Sequence, residues 1–206
     1  MGAKKHIESK DVLQMDGKAF NKLVNIIIYI KKLESKNLNL TRLLKFLYII
    51  DEKSILKIGT PVTNLEYKVA ENGPLADHLW KSVLNHPEVF AKYFDIKITK
   101  TIRDQQENTT CCISKSHELV DLKILSKFED KLIKETVQKY KGVTTEDIIE
   151  ELHGEDTLWG KMMKKYNLDF EESKSAISAH KINFHDLIKD DEMKSDSYEN
   201  YLSRKV

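Results

Sequence analysis

Helical spacing of apolar residues dominates the chain. From Lys18 onward Phe20, Leu23, Val24, Ile27, Ile28 and Leu33 fall on one face of a helix. The polar stretch Ser35 to Asn39 ends it. A second helix is predicted to start at Asn39 or Thr41, where a short polar side chain can cap free N–H groups. Its stripe is Leu40, Leu43, Leu44, Leu47 and Ile50, and Gly59 with Pro61 stops it. The period then changes. Leu65, Tyr67 and Val69 alternate with Glu66 and Lys68, which is strand spacing, and Asn72-Gly73-Pro74 marks a turn. A short helix over 75–84 carries Leu79, Trp80 and Val83, and Pro87 opens another short segment. Phe94, Ile96, Ile98 and Ile102 alternate with polar neighbours as a strand. A polar loop over 104–108 and a returning strand over 110–114 complete a hairpin.

The helical period resumes at Val120 and runs through Leu125, Phe128, Leu132 and Ile133 to about Tyr140. Thr144 or Thr145 caps the next helix, with Glu146 and Asp147 placing negative charge in its first turn. That helix ends at Leu152-His153-Gly154. Asp156 and Thr157 open another, carrying Leu158, Trp159, Met162 and Met163. The pattern weakens afterwards. The expected architecture is mainly α (α+β): a compact helical domain with a small antiparallel three-stranded sheet inserted. The expected divisions are a flexible leader over 1–17, a domain over 18–167, a helical C-terminal extension over 168–189 and a disordered tail over 190–206.

Composition narrows the function classes. At 206 residues, 40% hydrophobic and 33% charged, the chain has apolar material for one core. Lys and Arg number 34 against 33 Asp and Glu, a net charge of +1, so there is no global basic footprint. Only Arg42, Arg103 and Arg204 are arginines, and Arg is the usual residue for bidentate phosphate and guanine contacts. Direct nucleic-acid binding is therefore not expected. No run approaches the roughly 18 apolar residues of a membrane span, and the polar N-terminus has no secretory h-region. Cys111 and Cys112 are adjacent, and neighbours in a strand point to opposite faces, which disfavours a disulfide between them. A reduced, cytoplasmic protein follows.

Local catalytic motifs are absent: no P-loop, no G-x-G-x-x-G and no nucleophile elbow. Glu150, Glu151, His153, Glu155 and Asp156 crowd the joint between two helices. Glu150 and His153 can share a helix face and ligate a metal, but no second Glu-x-x-His completes such a site. Helix-end packing is the commoner reading, and no metal or other cofactor is expected. A metal-dependent hydrolase remains the alternative from another class. His180, His185 and Asp186 lie in a poorly patterned segment and read as surface groups. Trp80 and Trp159 read as core residues first and as interface anchors second. Tyr67 and Asn72-Gly73-Pro74-Leu75 form an irregular strand-to-helix joint that can present a rigid backbone edge to a partner.

Three blocks in order resemble one family. The first is Leu40-Thr41-Arg42-Leu43-Leu44-Lys45-Phe46-Leu47-Tyr48-Ile49-Ile50-Asp51, followed by Gly59-Thr60-Pro61-Val62. The second is Glu66-Tyr67-Lys68-Val69-Ala70-Glu71-Asn72-Gly73-Pro74-Leu75, and the third is Glu151-Leu152-His153-Gly154-Glu155-Asp156-Thr157-Leu158-Trp159. They resemble the SocA-like antitoxin family, or Panacea domain, with its L-x-K-L-L-Y helix, G-x-P-L, A-x-x-x-G-P-V and T-H-x-x-x-P-W stretches. The chain departs at Asn72, where an aromatic is frequent, at Leu75, where Val is common, and at Thr157-Leu158, where a proline precedes the Trp. These departures bear on which partner is bound, not on the fold. The resemblance implies a bacterial or phage-associated cytoplasmic antitoxin whose partner is a toxin encoded beside it. It implies neutralisation by direct binding or, as in one branch, delivery of the toxin to an ATP-dependent protease. Residues 1–17 are too short for a helix-turn-helix module.

Overall fold

The computed structural model describes residues 13, 15–34, 38–103, 106–171, 173 and 175–204. The expected leader lies outside the described residues except at 13 and 15–17, and so does the tip of the expected hairpin loop at 104–105. Where it is described, the leader is tied down: the Leu13 N–H donates to Ser82 Oγ at 2.6 Å, and Leu13 and Met15 pack on the core.

Helix α1 spans Gly17–Glu34 and α2 spans Leu40–Ile58. Asn39 caps α2 by accepting from the Thr41 N–H at 2.7 Å, and Gly59 ends it in the left-handed region at φ 75°. That glycine is obligatory twice over, because a Cβ there would stand 2.4 Å from the Lys194 carbonyl oxygen. Both helices are buried on more than a stripe. Every residue from Leu23 to Ile30 and from Arg42 to Asp51 is buried. A helix enclosed on all sides over this stretch is a central post, and the elements around α2 come from both halves of the chain.

Enclosure forces the polar side chains of α2 to find partners. Arg42 holds Glu34 at 3.1 Å and donates to the Tyr140 and Val143 carbonyls at 2.8 Å each, the loose end of the helix before them. Lys45 reaches the Pro74 carbonyl and Ser54 the Thr60 carbonyl. Asp51 takes the Val62 and Thr63 N–H groups and two hydroxyls. The polar groups of one helix thus pin the loop at Thr60 to Thr63, the Tyr140 to Val143 connection and the strand at Pro74.

Two small sheets are present where one was expected. In the first, β4 (Phe94–Arg103) and β5 (Gln106–Ser116) form the expected hairpin, and β1 (Leu38–Asn39) pairs antiparallel with β5. In the second, β2 (Lys68–Ala70) turns directly into β3 (Gly73–Leu75) and is flanked on its other edge by β6 (Ile177–Lys181), all antiparallel. The strand at Leu65 to Val69 therefore leaves the hairpin's sheet and pairs with its own return and with a strand from the weakly patterned region. The segment expected as a helical extension over 168–189 is instead β6 and a single helical turn at Phe184–Leu187. Its short apolar runs serve pairing with an exposed edge, which period alone cannot show.

The remaining helices are α3 (Asp77–Asn85), α4 (Lys127–Lys139), α5 (Thr145–Leu152), α6 (Leu158–Tyr166) and α7 (Glu192–Ser203). Helix α4 starts later than Val120 because Ser126 and Glu129 form a reciprocal cap there. Thr144 with Asp147 does the same for α5, and Thr157 caps α6. Of the tail expected to be disordered over 190–206, residues 192–203 form α7, and 205–206 lie outside the described residues. Asp191 caps the helix, Tyr198 is buried, and the Lys194 backbone lies against Gly59. One buried aromatic and one close backbone approach anchor a helix whose composition alone reads as frayed.

Candidate functional site

The β2–β3 hairpin is held by three helices at once. From α2, Lys45 Nζ donates to the Pro74 carbonyl at 2.8 Å. From α6, Trp159 Nε1–H donates to the Ala70 carbonyl at 2.9 Å. At the end of α5, the His153 ring stacks on Trp159 with centroids 4.0 Å apart and planes within 10°. Gly73, at φ 87°, is where these meet. A Cβ on it would lie 3.3 Å from Lys45 Nζ and 3.4 Å from His153 Nε2. The turn therefore needs glycine for its backbone angle, and a Cβ there would also press on the Lys45 nitrogen.

The electrostatics of this corner are unusual. Lys45 is 2% exposed, and burial pushes its ammonium down to about 7. Burial, with Lys45 as a secondary cause, also holds the His153 imidazole below its ordinary value. His153 Nε2 is buried with no hydrogen-bond partner among the described residues. Above the turn a pocket of about 160 Å³ opens, lined by Leu44 and Lys45 of α2, Asn72, Gly73 and Leu75 of the hairpin, and Trp80 of α3, with Thr41, Ala70, Ala176 and Ile177 completing it. Asn72, Thr41 and Ala176 are exposed at its mouth, and Trp80 and Leu75 are half-buried.

The structure brings Asn72, Gly73, Pro74, Leu75, Trp80, His153 and Trp159 into this one neighbourhood. Tyr67 lies apart. Its ring is buried edge-on to Tyr48 at 5.2 Å, and its hydroxyl donates to Asp51 Oδ2 at 2.8 Å, a scaffold position. The acidic joint is exposed and partly neutralised. Glu151 pairs with Lys139 at 2.6 Å and accepts from the Tyr140 hydroxyl, and Glu155 pairs with Lys164 at 2.6 Å. Glu150 and Asp156 are exposed and make no ion pair among the described residues. Glu150 does not share the His153 Nε2, and no group of three His, Cys, Asp or Glu among the described residues is placed to hold a metal ion. Cys111 is buried and Cys112 half-buried on β5, both as free thiols. His180 stacks on Tyr166 at 3.9 Å.

Lys45 itself escapes a reading by stripe. It sits between Leu44 and Phe46, off the predicted apolar face. The signal is that α2 has apolar residues on every side of it, so that a lysine there has no wet face to reach.

These elements make a small α+β domain in which helices clamp a short hairpin beside an open pocket. The family model of the antitoxin SocA-like, Panacea domain matches residues 43–160, more than half of the chain, and the chain belongs to that family. The matched stretch contains Lys45, the hairpin, Trp80, His153 and Trp159. No curated protein and no solved structure matches the chain. Among the described residues no helix is long and apolar enough to cross a membrane.

Proposed function

We propose that this chain is the antitoxin of a toxin–antitoxin pair and that it neutralises a toxin encoded beside it by direct binding in the cytoplasm. The observation that carries the reading is membership of the antitoxin family over residues 43–160, the stretch that builds the clamped hairpin. The geometry supports a binding role. A turn fixed by Lys45, Trp159 and His153 loses little entropy when a partner docks on it. Trp80, half-buried at the pocket wall, offers the kind of aromatic anchor that carries interface energy. Glu150 and Asp156, exposed on the neighbouring joint, supply negative charge that speeds encounter with a basic toxin. An interface of standard size, about 1,600 Å² in total, suffices, and no catalytic group is required.

The test is co-expression. This chain and each flanking reading frame are placed under separate promoters, and growth is followed as both are induced. Rescue of growth together with co-purification of the two proteins is the expected outcome. Rescue that depends on an intact ATP-dependent protease, with loss of the toxin protein, would replace direct neutralisation by the adaptor role. No toxic neighbour and no co-purifying protein would remove the antitoxin assignment.

A further inference from the structure

Lys45 is a basic group that the fold buries, without a counter-charge among the described residues. Its ammonium form has three N–H donors, and among the described residues one of them is used, on the Pro74 carbonyl at 2.8 Å. No carboxylate among the described residues makes an ion pair with it, and burial is the whole cause of its depressed basicity. The other buried basic group of α2, Arg42, has the opposite arrangement, with Glu34 and two carbonyls around it. A lysine this deep is ordinarily paired, since an unpaired buried charge is costly. Lys45 is also not sealed off, because it lines the pocket above the hairpin.

The pocket around it selects by shape and chemistry. At about 160 Å³ it is smaller than the roughly 300–1,000 Å³ of ordinary small-molecule sites, and it holds one side chain rather than a cofactor. Its walls are apolar at Leu44, Leu75, Trp80 and Ile177, and Lys45 Nζ lies beside the lining residue Gly73, 3.3 Å from where a Cβ would stand. Two free N–H donors on one ammonium match the two oxygens of a carboxylate. A phosphate, with three acceptor oxygens and a higher charge, calls for more donors or an arginine fork. His153, held neutral behind Gly73, adds no second charge.

We propose that this pocket binds a carboxylate on a short apolar stem, with Lys45 as its counter-charge, and that the toxin polypeptide supplies it as an acidic side chain or as its terminal carboxylate. Only the supplier rests on the antitoxin reading; the site stands on its own geometry. Filling it returns to Lys45 the partner that the fold withholds, so bound partner and lysine protonation favour each other.

The experiment is NMR on the full chain with labelled methyl groups and labelled lysine Cε. The probes are N-acetylglutamate amide for a side-chain carboxylate, N-acetylleucine for a chain terminus, N-acetylglutamine amide as the neutral isostere, and inorganic phosphate. Saturable shifts at the Leu44, Leu75 and Ile177 methyls are expected with the carboxylates alone, and the tighter of the two identifies the source. The Lys45 titration midpoint should move up on saturation, a readout that needs no variant. Lys45→Met, keeping a native methyl spectrum elsewhere, should bind about tenfold more weakly or worse. Absence of saturation, equal shifts with the glutamine probe, tighter binding of phosphate, or an unmoved Lys45 midpoint would each overturn the site. Carboxylate binding in a chain that rescues no toxic neighbour would confirm the site and overturn its assignment to a toxin.

Discussion

Lys45 Nζ and the Pro74 carbonyl lie 2.8 Å apart, and through this bond the second turn of the central helix holds the turn that faces solvent. The contact joins two parts of the protein with different duties. Helix α2 is enclosed by the core and sets stability, while the hairpin carries the exposed Asn72 and the half-buried Leu75. A change in the charge of Lys45 is therefore felt at once by the fold and by the surface offered to a partner.

The first consequence is a pH dependence of stability. Burial lowers Lys45 from the ordinary 10.5 to about 7 in the folded chain. Between those values the unfolded chain binds more protons than the folded one, so stability rises with pH across this window and falls as pH drops through about 7. Lys45→Met removes the titrating group. Its stability relative to the parent should fall by about 2 kcal/mol between pH 7 and pH 9, since a tenfold change in proton concentration is worth about 1.4 kcal/mol for each proton taken up on unfolding. Urea unfolding of both proteins at the two pH values measures it, and parallel behaviour would show that Lys45 titrates normally.

Gly73→Ala tests the corner itself. At φ 87° an alanine is strained, and its Cβ would meet Lys45 Nζ at 3.3 Å and His153 Nε2 at 3.4 Å. The expected loss is about 1–2 kcal/mol of unfolding free energy from strain at positive φ. A larger loss would mean that the lysine and histidine cannot yield. Denaturant midpoints against the parent, at unchanged m-value, give the number.

Asp51→Ala should be the most damaging single change. The carboxylate is fully buried and accepts from the Val62 N–H at 2.7 Å, the Thr63 N–H at 2.9 Å, the Tyr67 hydroxyl at 2.8 Å and the Thr63 hydroxyl. Removing it strands four donors, and each unsatisfied buried group costs about 1–3 kcal/mol. A loss above about 3 kcal/mol is expected by chemical denaturation, with Tyr67 becoming exposed to a tyrosine-reactive probe. A near-neutral result would show that the loop from Thr60 to Leu65 is held by other means.

Much of this was written in the sequence, and the parts that were not have a common cause. The caps at Asn39, Thr144 and Thr157, the stop at Gly59 and the long hairpin are local signals, and each lies where spacing and capping chemistry place it. The second sheet is different. Its strands are three to five residues long, and β6 pairs with β2 across more than a hundred residues of chain. The central strand β2 shows its alternation, but the edge strands β3 and β6 carry too few side chains to show a period of two. Helix α7 is hidden because its side-chain burial comes down to two tyrosines, Tyr198 buried and Tyr201 half-buried. At the site, the Asn72-Gly73-Pro74 turn is legible as a joint and Trp159 as a core residue, whereas Lys45 is masked by its chemistry. A lysine in a helix reads as a solvent-facing residue until the neighbours close around it.

Charge reversal at the α5–α6 joint separates steering from folding. Glu151 and Glu155 already hold Lys139 and Lys164, so changing them would disturb existing pairs. Glu150 and Asp156 are exposed and outside those pairs. The double change Glu150→Lys with Asp156→Lys should leave stability within about 0.5 kcal/mol. Under the direct-binding reading it should slow association with the toxin by about tenfold at low salt, with a smaller effect at high salt. Stopped-flow association at two ionic strengths decides it, and an unchanged rate would remove the acidic joint from the interface.

The C-terminal helix calls for a finer tool than deletion. Under the adaptor reading a frayed tail would engage a protease, and cutting it would spare toxin binding. Yet α7 packs on α2, Tyr198 is buried among the core residues, and the Lys194 backbone closes over Gly59. Truncation before Glu192 should therefore destabilise the whole domain, by about 2–4 kcal/mol for the lost aromatic burial alone. Loss of toxin turnover in such a variant would report unfolding rather than a missing contact. The informative change is at Met193 and Leu202, which are 81% and 43% exposed on the same helix. Met193→Ser with Leu202→Ser should keep the unfolding midpoint within about 0.5 kcal/mol of the parent, because surface substitutions seldom cost more. If toxin levels in cells then rise while binding in vitro is unchanged, α7 is a protease-facing surface and neutralisation runs through degradation. If levels and growth rescue both hold, the helix is structural and direct binding stands.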